Sequence, residues 1–241
     1  MCIDHYLAST YNQDSPTVLR FYGWMPFCIS LGYHQPAGIV NIRHLNKCNY
    51  DLVRRPTGGR AILHAHELTY SVIAPIDFMP PRDLYAYIHT ILAQALQSLD
   101  FAVSLEQVNT RLPSPRAGAG DFPCFTHSAY SEIQFQGKKV VGSAQRIYPK
   151  CTLQHGSILI GDQHEQLAGF ISKSPREKNR ILNEIKNRTC TLDRIGKHET
   201  KIEQIILSII KQIGLSPNIF LNFDDLTAEE MEAAQAYRIA I

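Results

Sequence analysis

The 241 residues contain no run of about 18 or more consecutive apolar side chains, so no segment has the length and polarity of a membrane-spanning helix. The opening residues Met1-Cys2-Ile3-Asp4-His5 lack the charged-then-apolar order of a secretion signal. A cytoplasmic protein without a membrane role is expected. The six cysteines (Cys2, Cys28, Cys48, Cys124, Cys151, Cys190) form no C-x-x-C pair, the spacing that zinc ribbons and thioredoxin-type redox pairs need. In a reducing compartment they are expected as free thiols. Charge of one sign is also scarce: 24 Lys and Arg against 22 Asp and Glu leave a net charge of +2. No window gathers the cationic stripe that counterion-release binding requires, which argues against a nucleic-acid partner. A mildly basic face would still suit an acidic protein. Internal repeats and low-complexity tracts are missing too.

What is present is ordinary globular material, 44% apolar and 19% charged, enough for one α/β or α+β domain over residues 1–241. β-branched and aromatic residues mark strands at residues 18–22 and 28–31, punctuated by Gly23, Pro26 and Gly32. A short helix is expected between Val40 and Cys48, and a strand at Leu52-Val53 leads into Gly58-Gly59. Residues 67–74 alternate as a strand with Leu68, Tyr70 and Val72 on one face. From Arg82 to Leu99 apolar residues recur at helical spacing, predicting a helix that covers the sheet. Residues 106–123 carry prolines and glycines without apolar periodicity and read as a mobile loop ending at Cys124. Next come an expected hairpin, with strands at residues 133–135 and 139–144 about a Gln136-Gly137 turn, and a strand at 152–160. Residues 200–241 read as helical. Isoleucines from Ile202 to Ile213 stop at Gly214, an expected C-terminal cap, and Thr227 with Glu230 forms a capping box that opens a last helix near Ala228. The sum is a mixed β-sheet flanked by helices.

The sharpest local feature is Arg54-Arg55-Pro56-Thr57-Gly58-Gly59-Arg60-Ala61, paired glycines among three guanidinium groups. Glycines allow close backbone approach to a ligand, and turn N–H groups beside arginines favour a carboxylate or carbonyl oxygen. A solvated surface turn has the same composition. It matches neither the phosphate-loop nor the dinucleotide pattern.

The whole stretch RRPTGGRAILHAHELTYS, residues 54–71, resembles the signature loop of the biotin/lipoate A/B protein ligase superfamily. The resemblance is closest to octanoyl-carrier-protein transferases of the Gram-positive type. Three more segments match in order: Arg20-Phe21-Tyr22-Gly23-Trp24, then Pro123-Cys124-Phe125, then residues 137–144 continuing through Gln154-His155-Gly156-Ser157-Ile158-Leu159. The resemblance implies a catalytic domain of the ligase type and an octanoyltransferase acting in protein lipoylation. It puts Cys124 at the acyl-thioester nucleophile and Lys139 at the lysine that keeps that thiol near its anion. Arg55, Gly58, Gly59, Arg60, Ala61, His64, Ser143, Ala144, Gln145, His155 and Gly156 fall on segments that line the acyl pocket in relatives. It further implies acyl carrier protein as donor, a lipoyl domain or glycine-cleavage carrier as acceptor, and no cofactor.

The chemistry is coherent on its own terms. A free thiol ionises near pH ~8.5, and a neighbouring ammonium favours the thiolate. Exchange of one thioester for another is nearly level in energy and needs no nucleotide, and attack by a lysine amine then forms a stable amide. Against these roles, a free cysteine is usually a small core residue and a lysine at a turn is usually solvated. His64, His66 and His155 could suggest a metal site, but they fall on different strands without matching carboxylate spacing, and pocket or core histidines are expected instead. Two rivals remain. An ATP-dependent lipoate–protein ligase, requiring ATP and Mg, would use the same loop, although typical ligases resemble G-G-G where this chain has Gly58-Gly59-Arg60. A non-catalytic relative that binds lipoyl domains or acyl chains would need no positioned thiol. A monomer is expected, because no long coiled coil or large apolar stripe appears.

Overall fold

A computed structural model describes residues 1–107, 131–196, 200–215 and 220–241. Two nine-residue strands form its centre. Strand β5 (Glu67–Pro75) pairs antiparallel along its whole length with β10 (Cys151–Leu159). Strand β1 (Val18–Tyr22) flanks β5 and β9 (Val141–Ile147) flanks β10, giving the order β1-β5-β10-β9. A smaller mixed sheet holds β2 (Cys28–Leu31) between parallel β3 (Asp51–Arg54) and antiparallel β4 (Ile62–His64). A third sheet joins β6 (Ser104–Gln107), β7 (Ser131–Phe135) and β8 (Lys138–Lys139), all antiparallel.

Successive side chains of a strand point to opposite faces, and in β5 both faces are buried. Leu68, Tyr70, Val72 and Ala74 meet the apolar stripe of α3 (Pro81–Gln97), where Leu84, Ile88, Leu92 and Leu96 recur at helical spacing. Helix α7 (Ile202–Gly214) lies over α3 and adds Ile205 and Ile209 to the same core. The other face of β5 carries Glu67, Thr69 and Ser71, all buried. A second core fills the space between the small sheet, α2 (Ile42–Lys47), α4 (Leu167–Ile171) and α5 (Pro175–Arg188), with Leu31, Leu63, Phe170, Ile181 and Ile185 at its centre. Helix α6 (Leu192–Ile195) follows α5. Helix α1 (Cys2–Ser9) packs on α8 (Ala228–Gln235) and the residues after it, with Tyr6 and His5 meeting the ring of Tyr237 edge-on. No helix among the described residues is long and apolar enough to cross a membrane.

Most expected elements stand where periodicity put them, including the Thr227–Glu230 capping box. Four expectations change. The hairpin after Gln136-Gly137 is only two residues long on its return side, because β8 ends at Lys139 and the chain steps at Val140 into the large sheet. Val140 is fully buried, and both of its backbone groups are held, the N–H by Ile133 and the carbonyl by Leu159, so the step costs no unpaired polar group. Helix α7 does end at Gly214, but right-handed Leu215 caps it rather than a left-handed glycine. The single expected sheet is three. Helix α1 and strand β4 carry no periodic signal of their own, and the expected loop contributes its first residues to β6 while Cys124 and the rest of it lie outside the described residues.

Leu96 is fully buried where α3 meets the large sheet and α7. Leu96→Ala is expected to lower unfolding free energy by about 2–5 kcal/mol in urea titration.

Candidate active site

The glycine loop is folded by Arg55. Its guanidinium, 2% exposed, donates to the carbonyls of Ser30 (3.0 Å), Gly58 (2.9 Å) and Arg60 (2.7 Å) and to the Ser30 hydroxyl (3.0 Å). A planar group with fixed donors can tie several carbonyls at once, and here it draws in those of the loop itself. Arg54 does the same one layer out, reaching the carbonyls of Gly32, Tyr33 and Gln35 with Nη1 and that of Ala240 with Nε. Gly58 and Gly59 are left exposed at the tip. Gly59 has φ +92°, and a Cβ on Gly32 would stand 1.8 Å from the Gly59 carbonyl oxygen, so glycine is required at both positions.

Beneath the loop lies the polar face of the large sheet. Glu67 Oε1 accepts from Ser157 (2.7 Å), Thr69 (2.8 Å) and His64 Nδ1 (2.7 Å). The Ser30 hydroxyl stands 2.7 Å from His64 Nε2. A carboxylate only accepts, so His64 donates from Nδ1 to Glu67, and Arg55 donates to the Ser30 hydroxyl that meets the other ring nitrogen, linking the four groups in one chain of bonds. Trp24 stacks on His64 with ring centres 4.3 Å apart and donates its Nε1 to Thr69 at 2.8 Å. On the same face, Thr57 Oγ1 and His155 Nε2 are 2.6 Å apart, and His155 Nδ1 faces Asp4 Oδ2 at 3.8 Å. Asp4, fully buried on α1, also receives Arg20, Tyr22 (2.6 Å) and Ser71 (2.8 Å). Burial alone would raise its carboxyl, but His155, the chain's N-terminal charge and Arg20 outweigh that and hold it well below the usual carboxylate range.

The residues proposed for one pocket divide between two faces of the sheet. His155 and Ala144, partners in register, belong to the polar face with the glycine loop. Gly156, Ser143 and Gln145 belong to the α3 face. There the Ser143 hydroxyl lies 2.7 Å from Tyr70 Oη and 2.9 Å from His89 Nε2, and Gln145 donates to Gln154 and to the Pro81 carbonyl. A Cβ at Gly156 would fall 2.5 Å from Ser143 Oγ and 2.7 Å from the Tyr70 ring, so this glycine admits close packing. Ala61, 1% exposed, belongs to the core of the small sheet. Lys139 is 8% exposed rather than solvated and pairs with Glu132 at 2.8 Å across the short hairpin. Its strand is tied to the end of α5, since Cys190 N–H donates to the Lys139 carbonyl at 2.9 Å. His66 is exposed while His64 and His155 are committed to the partners above, so the three do not converge.

Several of these participants were not singled out from sequence. His89 follows Tyr85 by one helical turn on the buried stripe of α3, a spacing that could have marked it. Glu132 lies one pleat beyond Gln134, the register partner of Lys139, and the turn could have revealed it. Asp4 and Glu67 offered no such signal.

Residues 1–214 match the family model described as the lipoyl protein ligase A/B catalytic domain. The chain belongs to that family. Octanoyltransferase LipM of Macrococcus caseolyticus is 34% identical over 241 residues, covering 95% of this chain and 86% of that protein. The proteins of the same name from Kyrpidia tusciae and Bacillus subtilis are each 32% identical, covering 98% and 96% of this chain and 88% and 86% of theirs. Among solved structures, a bipartite lipoate protein ligase of Thermoplasma acidophilum, studied with its E2 lipoyl domain, superposes with a TM-score of 0.76 at 20% identity over 98% of this chain and 84% of that one. A lipoate-protein ligase A bound with ATP gives 0.75 at 19%, over 98% and 86%. The α/β fold with helix-flanked sheets is therefore that of lipoate protein ligases, as the signature loop implied.

Gly32→Ala must push the backbone of Gly59 away, and urea titration should show a loss of about 1–3 kcal/mol. Burial, with Lys139 adding to it, pushes His89 down to about 3, and burial likewise lowers His155 and His164. A base whose folded pKa is depressed binds fewer protons folded than unfolded, so its stability is intact above pH 6.5 and is lost as pH falls through that value toward the folded pKa. His89 alone should remove about 2 kcal/mol between pH 6.5 and pH 5, read by urea unfolding at each pH, and His89→Phe should flatten that part of the slope.

Proposed function

We propose that this protein transfers an octanoyl group from acyl carrier protein to a lysine of a lipoyl domain or glycine-cleavage carrier, through a thioester on Cys124. The observation that carries this reading is the similarity, at 32–34% identity over 95% or more of the chain, to proteins named as octanoyltransferases. The first step is attack of the Cys124 thiolate on the donor thioester carbonyl. The tetrahedral oxyanion collapses with expulsion of the donor thiolate, which takes up a proton. The acceptor lysine then attacks as a neutral amine, loses its proton as the amide forms, and returns Cys124 as thiolate. No nucleotide is consumed, and no metal or cofactor is needed for either step.

Lys139 is the cation assigned to Cys124. Its Nζ is buried and fixed by Glu132, so its charge acts through a medium that screens it less than water. A fixed ammonium is preorganised, whereas a surface lysine would have to be ordered at each turnover. The exposed tip of the glycine loop, held from behind by Arg55, supplies main-chain groups for the acyl carbonyl. The apolar face of Trp24 against His64 suits an alkyl chain better than a charged one.

Intact mass after mixing with octanoyl-acyl carrier protein, without ATP, should rise by one octanoyl group that hydroxylamine removes, and Cys124→Ala should show no rise. Removing both members of the buried pair, as Lys139→Met with Glu132→Gln, avoids leaving one charge stranded. That variant should keep the thiol but acylate about tenfold more slowly for each pKa unit by which the thiol rises. Acceptor modification only with free octanoate and ATP would replace this reading with the ligase; silence in both assays would favour a binding protein.

A further inference from the structure

Helix α5 concentrates positive charge at the surface that the rest of the fold offsets only in part, Lys186 lying 3.5 Å from Glu165. Residues 173–188 hold six Lys and Arg against two Glu, a net charge of +4 in a chain whose total is +2. All six cations are exposed, among them Lys173, Arg176, Lys178 and Arg180, while the inward face of the helix is Ile181 and Ile185. Both carboxylates are drawn back against the helix. Glu177 accepts the Lys173 N–H at 2.6 Å and lies 4.0 Å from Arg180, and Glu184 pairs with Arg188 at 2.8 Å. Like charges at this density repel one another and lower the stability of the free helix, so the face is an electrostatic cost unless an acidic partner offsets it.

The placement of α5 says which partner. Its C-terminal end is fastened to the strand that carries Lys139: Lys138 Nζ donates to the Lys186 carbonyl at 3.0 Å, and Thr189 bridges to Lys139. The helix then runs away from that strand for 14 residues, about 21 Å at 1.5 Å per residue. A partner lying along it holds its own surface up to that distance from the strand of Lys139, the cation assigned to the thiol. An acceptor presents its lysine on a four-carbon stem and must come directly to the site. A donor whose acyl group rides on a long prosthetic arm can dock at such a distance and still deliver.

We infer that the exposed basic face of α5 is the docking surface for the acidic face of the acyl carrier protein donor, with the acceptor domain approaching elsewhere. The inference rests on the carrier-donor reading of the function and specifies where that partner sits. Such a contact steers association and weakens as salt screens it.

The test measures binding, so it does not depend on turnover. Apo acyl carrier protein, which carries no acyl group to transfer, is titrated against wild type and against Arg176→Glu/Lys178→Glu/Arg180→Glu at low and high salt, beside an acceptor lipoyl domain. Acidic residues are favourable in the first turn of a helix, so the reversals at 176 and 178 do not oppose folding. The neutral series Arg176→Gln/Lys178→Gln/Arg180→Gln checks that loss follows charge. The expected result is a Kd for the carrier at least about tenfold higher in the reversal variant, an intermediate value in the neutral one, and unchanged acceptor binding. Acylation by octanoyl-pantetheine, which has no protein surface, should be unaffected. Equal carrier binding by all three proteins, no carrier binding by wild type, or a loss confined to the acceptor would overturn the docking surface. Carrier binding that depends on α5 in a protein that transfers nothing would leave the surface standing and reject the proposed reaction instead.

Discussion

The antiparallel pairing of β5 with β10 is the constraint on which everything else rests. Because a strand alternates its side chains, nine paired residues fix two opposite faces at once, and in this protein neither face reaches solvent. One takes the apolar stripe of α3. The other is lined by Glu67, Thr69, Ser71, Ser157 and His155, and buried polar groups of that kind are tolerated only when partnered. The partners come from far away in sequence: Asp4 from α1, Trp24 from the end of β1, Ser30 and His64 from the small sheet, Thr57 from the glycine loop. A slip of one residue in this register would turn the carboxylate of Glu67 into the α3 core and expel Tyr70 from it. The site is thus secured by the same pairing that secures the fold.

The arginines of the signature stretch take on a different character in this setting. Three guanidinium groups beside two glycines suggest affinity for an anion, yet Arg54 and Arg55 donate mainly to main-chain carbonyls of their own neighbourhood. They act on the loop itself, holding it in a shape that leaves Gly58 and Gly59 exposed. Lys139 shows the complementary case. A lysine two residues after a glycine turn is ordinarily in water, but the immediate step of the chain into the large sheet at Val140 carries it inward, and Glu132 makes that burial tolerable.

The amino-acid order by itself determined the strands at 18–22, 28–31 and 67–74, the long amphipathic helix and the family, because each rests on local periodicity or on contiguous motif residues such as those of residues 54–71. It also brought Lys139, His64 and His155 into consideration one at a time. Only the tertiary structure decided which of them meet. His155 and Ser143 face opposite sides of one sheet despite belonging to neighbouring matched segments, Asp4 closes a network 151 positions from His155, and Glu132 holds Lys139. Local sequence reports the period of a strand or helix, which one segment fixes alone. The pairing of buried polar groups depends on which distant segments the folded sheet brings within about 3 Å of each other, and no single segment contains that distance.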